Sequence, residues 1–451
     1  MEKIIKLGAF DSDITQVVQH LKQDLQDDWY PDPLAYEDAL TPDVAGELLN
    51  QCLERNHGLY VPDAATTLNI PKKGFVLRYS LEMTLPDRLY YHALVGHLVP
   101  FFDSLLPPHI LNHRFAAEGR RKGRYLFKPP IEQWQLFEGY VAQEARTKPV
   151  ILVTDLQNYY ENVTVEHITT VLENNVSCVQ ADTMEKAGIR RVISELRRCL
   201  GAWCYAAGRG LPQNRDASSF LASLAILPVD QAMLDKQYAY YRYMDDIRVA
   251  AKTRYEARAA LQDLTVELRK IGLSVNAAKT KIYEPKDPEY QKAMGNFDPR
   301  LAQIDSMWKS RSLLVVRRSF TPLQKLANSL IERGETQDRG FRFCVRRFER
   351  LALCDAISIP RDFFDPMTDA CLAQLDEQPF SSDQFVRYLK ATPTSDAQME
   401  HVVHLLADNQ RAIYDWQNYL LWQLLVYKKV SVPALIAVAR ERSTDSSAYL
   451  Q

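Results

Sequence analysis

Tyr243-Met244-Asp245-Asp246 lies between two β-prone runs, Gln237 to Arg242 before it and Ile247 to Ala251 after it. The pattern predicts two strands joined by a tight turn, with Tyr241, Tyr243, Ile247, Val249 and Ala251 on one parity and Arg242, Arg248 and Ala250 on the other. Adjacent carboxylates at the tip repel, and each prefers full hydration. A divalent cation at the tip removes that conflict. Asp is also a common turn residue, and taken alone the tetrapeptide reads as an ordinary hairpin.

A second acid changes the reading. Val150-Ile151-Leu152-Val153-Thr154-Asp155 is a short apolar run ending in a carboxylate, the pattern of a buried strand that delivers Asp155 to its carboxyl-terminal end. Three carboxylates meeting at one point repel by several kcal/mol at an effective dielectric of about 20. Two Mg²⁺ ions would neutralise them, with Mn²⁺ as the alternative.

Four motifs now stand in order. Asp155-Leu156-Gln157-Asn158-Tyr159-Tyr160 is an Asp followed five residues later by an aromatic. Gly210 to Ser218 reads Gly-Leu-Pro-Gln-Asn-Arg-Asp-Ala-Ser, Tyr243 to Asp246 follows, and Gly272 to Thr280 ends in Lys279-Thr280. Together they resemble the palm of reverse transcriptases, with one departure: Asn214 stands where the family usually has Gly after the Gln. Pro71-Lys72-Lys73-Gly74-Phe75-Val76-Leu77-Arg78 resembles the family's fingers segment, and guanidinium clasps phosphate oxygens bidentately. The resemblance implies an RNA-directed DNA polymerase. Asp155, Asp245 and Asp246 would hold the metal ions, Lys72 and Arg78 the triphosphate. Tyr160 would lie under the ribose and exclude a 2′-hydroxyl, Gln213 would support the template-primer, and Lys279 would protonate pyrophosphate. Tyr160 as a core aromatic, and Ser218 and Ser219 as small residues for helix packing, are the readings without the motifs.

The expected fold is α+β: reverse-transcriptase fingers and palm with a helical carboxyl-terminal domain. Residues 1–70 read as a mostly helical segment, 71–150 as fingers, 151–305 as palm and 306–451 as the helical domain. Leu261, Leu264, Leu268 and Ile271 recur at helical intervals before Gly272, a plausible terminator. Beyond Trp308, amphipathic helices are predicted over Leu323–Glu332, Gly340–Leu353, Pro366–Leu375, Ser382–Leu389, Gln398–Leu406 and Ala412–Tyr427. This tail resembles the HEAT-like extension of bacterial abortive-infection reverse transcriptases and their defence-associated, unknown-group relatives. Retron and group II intron enzymes share the palm motifs and form the alternative, as does an RNA-binding scaffold or sensor with a vestigial polymerase role.

Composition sets looser bounds. The net charge of −2 excludes a global basic field, with 46% hydrophobic and 25% charged residues typical of a globular chain. Basic clusters occur at His113-Arg114 with Arg120 to Arg124, at Arg190-Arg191 with Arg197-Arg198, and at Arg317-Arg318 with Arg339 to Arg350. Beside a polymerase palm these become candidate phosphate contacts. The seven cysteines contain no CxxC pair, which argues against a zinc ribbon or disulfide framework. His401 and His404 have no evident third ligand. Met1 to Lys6 lacks an apolar core, and no 18-residue apolar stretch occurs, so a soluble cytoplasmic protein is expected. Expected partners are dNTPs, a structured non-coding RNA as template or scaffold, the DNA product, and either a second copy or a second defence protein; no membrane is expected.

Overall fold

In the computed structural model, which describes residues 3–117, 125–294, 299–310 and 312–430 except Pro33 and Ala35, a hairpin precedes the two helices of the first segment. Strands β1 (Ile4–Leu7) and β2 (Phe10–Asp13) turn at Gly8, whose φ of +61° suits a residue without Cβ. Helical spacing cannot show a hairpin of four-residue strands. Asp13 then caps α1 (Ile14–Asp24) by accepting from the Thr15 N–H, and Thr41 caps α2 (Pro42–Arg55), which starts on proline.

Strands β3 (Thr66–Pro71) and β4 (Leu77–Glu82) form a second hairpin, followed by α3 (Leu85–Phe102). Helix α3 is buried almost all round, so it is apolar without a polar stripe. The chain divides into two units, residues 1–67 with 80–295, and residues 68–79 with 296–451.

The first unit is built on a four-stranded antiparallel sheet. Helix α4 (Pro130–Glu144) leads into β5 (Val150–Thr154), and α5 (Val165–Asn175), α6 (Thr183–Ala202), α7 (Asp216–Ala225) and α8 (Leu227–Asp235) follow. Then come β6 (Ala239–Tyr243), β7 (Asp246–Ala251), α9 (Arg254–Lys270) and β8 (Lys281–Tyr283), giving the strand order β6-β7-β5-β8. Helices α8 and α9 cover one face and α4 the other. The apolar run of β5 follows from this double cover.

The register corrects the parity expected for the hairpin. Tyr243 pairs with Asp246, Arg242 with Ile247, Tyr241 with Arg248 and Tyr240 with Val249. Tyr240 and Arg242 therefore share the face of Ile247 and Val249, whereas Tyr241 and Tyr243 face α4 with Ala250, Phe137 and Val141. A two-residue turn connects an odd position to an even one across the strands, and counting by twos through it assigns one strand to the wrong side. Gly272, with φ of +74°, ends α9 as expected.

Among the described residues from 299 onward the second unit is helical. It contains α10 (Pro299–Trp308), α11 (Leu313–Arg318), α12 (Phe320–Glu332), α13 (Arg339–Ala352), α14 (Asp365–Ala373), α15 (Ser382–Ala391), α16 (Asp396–Ala407) and α17 (Asp415–Tyr427). All six amphipathic stretches read beyond Trp308 are helices. They alternate between two stacked rows, α12-α14-α16 and α13-α15-α17. Trp416 and Tyr419 of α17 are buried in this packing. No single helix among the described residues is long and apolar enough to cross a membrane.

Candidate active site

Thr154 of β5 pairs with Ile247 of β7, so Asp155 stands level with Asp246 one step further along the two strands. The segment after α9 closes on the same end. Leu156 bridges to Val275, Asn276 N–H donates to the Asp155 carbonyl at 2.8 Å, and Gln157 N–H donates to the Ser274 carbonyl at 2.9 Å. Lys279 and Thr280 are placed from there: Thr280 Oγ1 donates to the Asn276 carbonyl at 2.8 Å and meets Thr154 Oγ1 at 2.7 Å. The Lys279 ammonium is thereby brought into an ion pair with Asp155. Asp155, Asp245, Asp246 and Lys279 thus come together, from motifs up to 124 residues apart.

The turn that carries Asp245 and Asp246 is held from behind by residues the sequence reading missed. Met244 has φ of +57°; its N–H donates to Asn112 Oδ1 at 3.0 Å and its carbonyl accepts from Arg242 Nη1 at 3.1 Å. Arg242 and Asp230 form an ion pair at 2.6 Å with both side chains 0% exposed, and Tyr240 Oη donates to the same carboxylate at 2.8 Å. An Arg in a strand facing an apolar core was the available signal, since a buried guanidinium requires an acid. The partner lies on another helix and no local pattern names it.

Electrostatics at the cluster favour an added positive charge. Burial first, then the charges of Asp245 and Asp155, push the Asp246 carboxyl up to about 6, with Arg248 and Lys279 opposing. Asp155 is buried, and its Oδ1 has no hydrogen-bond partner among the described residues although Oδ2 accepts from Lys279. Burial opposes the charge on Lys279, but the bond to Asp155 and the nearby acids outweigh it and raise its pKa. Among the described residues no three His, Cys, Asp or Glu side chains are already gathered closely enough to hold a metal ion. The Lys279 ammonium neutralises Asp155 on one side. An orphaned buried carboxylate oxygen beside two further acids fits hard divalent cations, which take oxygen ligands.

Tyr160 sits on a one-turn helix, Tyr159–Asn162, entered through Asn158 at φ of +47°. Its hydroxyl meets Ser219 Oγ at 2.9 Å; burial mainly, with the nearby Asp245 charge adding to it, raises its pKa, and the Ser219 bond opposes. Ser218 Oγ meets Tyr91 Oη at 2.8 Å, so both serines bond tyrosines as well as pack. Gln213 is buried in the loop before α7. The Asn in place of Gly is accommodated: Asn214 takes φ of +57°, and its Nδ2 donates to the Asp27 carbonyl at 2.6 Å. Beside it Asp28 binds Arg88 at 2.6 Å and Arg215 at 3.0 Å, Glu82 binds both arginines, and Asp24 accepts from the Asp216 N–H at 2.8 Å. Residues 24–28 are therefore built into the floor of the second motif. Lys72 and Arg78 lie on the β3–β4 hairpin within residues 68–79, where Lys72 N–H donates to the Val76 carbonyl at 2.7 Å.

The basic clusters differ in kind. Arg114 is committed to Asp103 and to the carbonyls of Pro107 and Ile110, and His113 to Asp216, so neither is a free phosphate ligand. The Arg120–Arg124 part of that cluster lies outside the described residues. Arg197 pairs with Glu166 and Arg198 with Glu195, whereas Arg190 and Arg191 are exposed. In α13, Arg339, Arg342, Arg346 and Arg350 recur at helical spacing and are all exposed. Arg347 is the exception to the expected basic face: it ion-pairs with Asp305 and lies 4.9 Å from the Trp308 ring centroid and 4.7 Å from that of Phe343.

A profile of the reverse transcriptase (RNA-dependent DNA polymerase) family matches residues 71–306, just over half of the 451 residues. The chain belongs to the reverse transcriptase family and is an RNA-directed DNA polymerase. Among curated proteins none matches this sequence. A solved structure of telomerase from Candida albicans in complex with a TWJ fragment of telomeric RNA aligns over 90% of this chain and 69% of its own, at 9% identity and a TM-score of 0.36, a likeness too distant to bear on the site.

Proposed function

We propose that the chain transfers nucleotides from dNTPs to a 3′-hydroxyl at the carboxylate cluster, copying or resting on a structured non-coding RNA. The observation that carries this reading is the meeting of Asp155, Asp245, Asp246 and Lys279 at one end of the sheet, with one buried carboxylate oxygen left without a partner among the described residues. The three aspartates would hold two Mg²⁺ ions, or Mn²⁺, which when bound lower the cost of ionising the hydroxyl and of releasing pyrophosphate. Lys279 presents a proton on a flexible stem and would give it to the leaving pyrophosphate. Arg78 and Lys72 would clasp the triphosphate, and Gln213 would support the new base pair. Sequencing the nucleic acid that copurifies with the protein tests the RNA partner. One structured RNA species is expected, and random cellular fragments alone would remove that part of the reading.

Tyr160 is the proposed sugar gate, its hydroxyl steadied by Ser219. Tyr160→Ala is expected to raise ribonucleotide use relative to deoxynucleotide use on the order of 10- to 100-fold in competition assays, the discrimination that steric pockets supply. An unchanged ratio would make Tyr160 a packing residue.

The cellular role we propose is antiviral defence of the abortive-infection type, in the cytoplasm. The two rows of stacked helices support a HEAT-like tail, with a second copy or a second defence protein as its protein partner. The exposed arginines of α13 give the tail a face for nucleic acid. Reversing Arg342, Arg346 and Arg350 to Glu should flatten the dependence of log affinity on log salt by about 2 for single-stranded RNA, at 0.7 per phosphate contact. An unchanged slope would leave the tail as a brace. Arg347 is unsuitable for this test, because its reversal would break the α10–α13 packing.

A further inference from the structure

The turn between β6 and β7 has two central residues, Met244 and Asp245, and of these only Met244 has positive φ, at 57°. A two-residue hairpin turn with positive φ at its first central position has the sign pattern of type II′, where glycine is the usual occupant. A methionine there carries backbone strain, which persists only when the surroundings over-determine it.

Around Met244 they do. Asn112 is 0% exposed; its Oδ1 accepts the Met244 N–H at 3.0 Å and its Nδ2 lies 2.9 Å from Met244 Sδ. On the other side Arg242 Nη1 donates to the Met244 carbonyl at 3.1 Å. Arg242 cannot swing away, because Nε and Nη2 are committed to Asp230 at 2.8 and 2.6 Å and Nη2 also reaches the Ser223 carbonyl at 3.0 Å. Asn112 is fixed in turn: Leu111 N–H donates to the Arg242 carbonyl and Arg242 N–H to the His109 carbonyl, each at 3.1 Å, which ties the segment before Asn112 to the end of β6.

We propose that Asn112 and Arg242 are positioning residues that hold the Met244 peptide left-handed, in place of a glycine, and so set the direction in which Asp245 and Asp246 face their metal ions. The inference rests on the reading of the carboxylate cluster as a metal site. Both act through the turn, by their bonds to the Met244 backbone.

The test uses the full chain and Mn²⁺ as probe, titrated without nucleotide, together with kcat, the KM for dNTP and thermal unfolding. Asn112→Ala and the polar but shorter Asn112→Ser are expected to weaken Mn²⁺ binding and lower kcat by about 10- to 100-fold, the usual effect of losing a group that orients metal ligands. KM should stay within about twofold, since dNTP contacts are untouched. In a Met244→Gly background the same substitutions should cost less than about threefold, because glycine takes the left-handed conformation unaided. If the single variants do not fold, Met244→Gly should restore folding, and its failure to do so overturns the proposal. Equal losses in both backgrounds, or wild-type Mn²⁺ affinity in a folded Asn112→Ser protein, also overturn it. Asp245→Asn separates the two levels. Mn²⁺ binding that survives this change refutes the metal site and the inference together, whereas binding lost in Asp245→Asn but intact in Asn112→Ser refutes the inference alone.

Discussion

Asp245→Asn combined with Asp246→Asn is expected to lower nucleotide incorporation on the order of 10⁴-fold or more, as removal of a central catalytic set does, while making the metal-free protein more stable. The second half follows from the Asp246 carboxyl, which burial and then Asp245 push from 3.8 up to about 6. The folded protein therefore binds more protons than the unfolded chain between those values. The stability this proton supplies is fully present below the lower value and is lost as pH rises through about 6. At neutral pH the ionised, metal-free cluster costs on the order of 3 kcal/mol. The isosteric amides remove the cost and flatten that part of the pH profile. Added Mg²⁺ should raise the unfolding free energy of the wild type only. Denaturant unfolding at pH 5 and pH 8, with and without Mg²⁺, measures all three effects; a double variant less stable at pH 8 would contradict the proposed charge crowding.

Asp230→Ala should produce the largest loss of stability. Asp230 and Arg242 are both 0% exposed, and the carboxylate also accepts from Tyr240. Removing one member of a buried pair leaves an uncompensated charge and costs about 3 to 5 kcal/mol. By contrast, breaking the exposed Arg197–Glu166 pair should cost no more than about 1 kcal/mol. Chemical denaturation of the two variants side by side checks the difference. A loss from Asp230→Ala as small as that from Glu166→Ala would mean that water reaches Arg242.

The cluster itself was legible because each motif carries its chemistry locally. A carboxylate at the end of an apolar run, two at a hairpin tip and a Lys-Thr after a helix-ending glycine can each be read within ten residues. The supporting residues were not. Asn112 meets Met244 across 132 positions, Arg88 meets Asp28 across 60, and Arg215 meets Asp28 across 187. No periodicity reaches that far. The basic face of α13 shows the same limit in small: Arg346 and Arg347 are neighbours in the chain, yet one is exposed and the other packs near two aromatic rings. Asn214 went the other way, since its tolerance of positive φ was readable from residue type and the backbone takes that conformation.

If Asp155, Asp245 and Asp246 direct DNA synthesis on RNA, templated primer extension depends on them. The protein is incubated with a defined RNA template, an annealed DNA primer, dNTPs and Mg²⁺, and the products are sequenced beside those of Asp155→Asn. DNA complementary to the template is expected from the wild type and none above background from the variant. Complementary DNA made equally well by folded Asp155→Asn protein, or no extension by the wild type under any divalent cation, would rule out this role for the three aspartates.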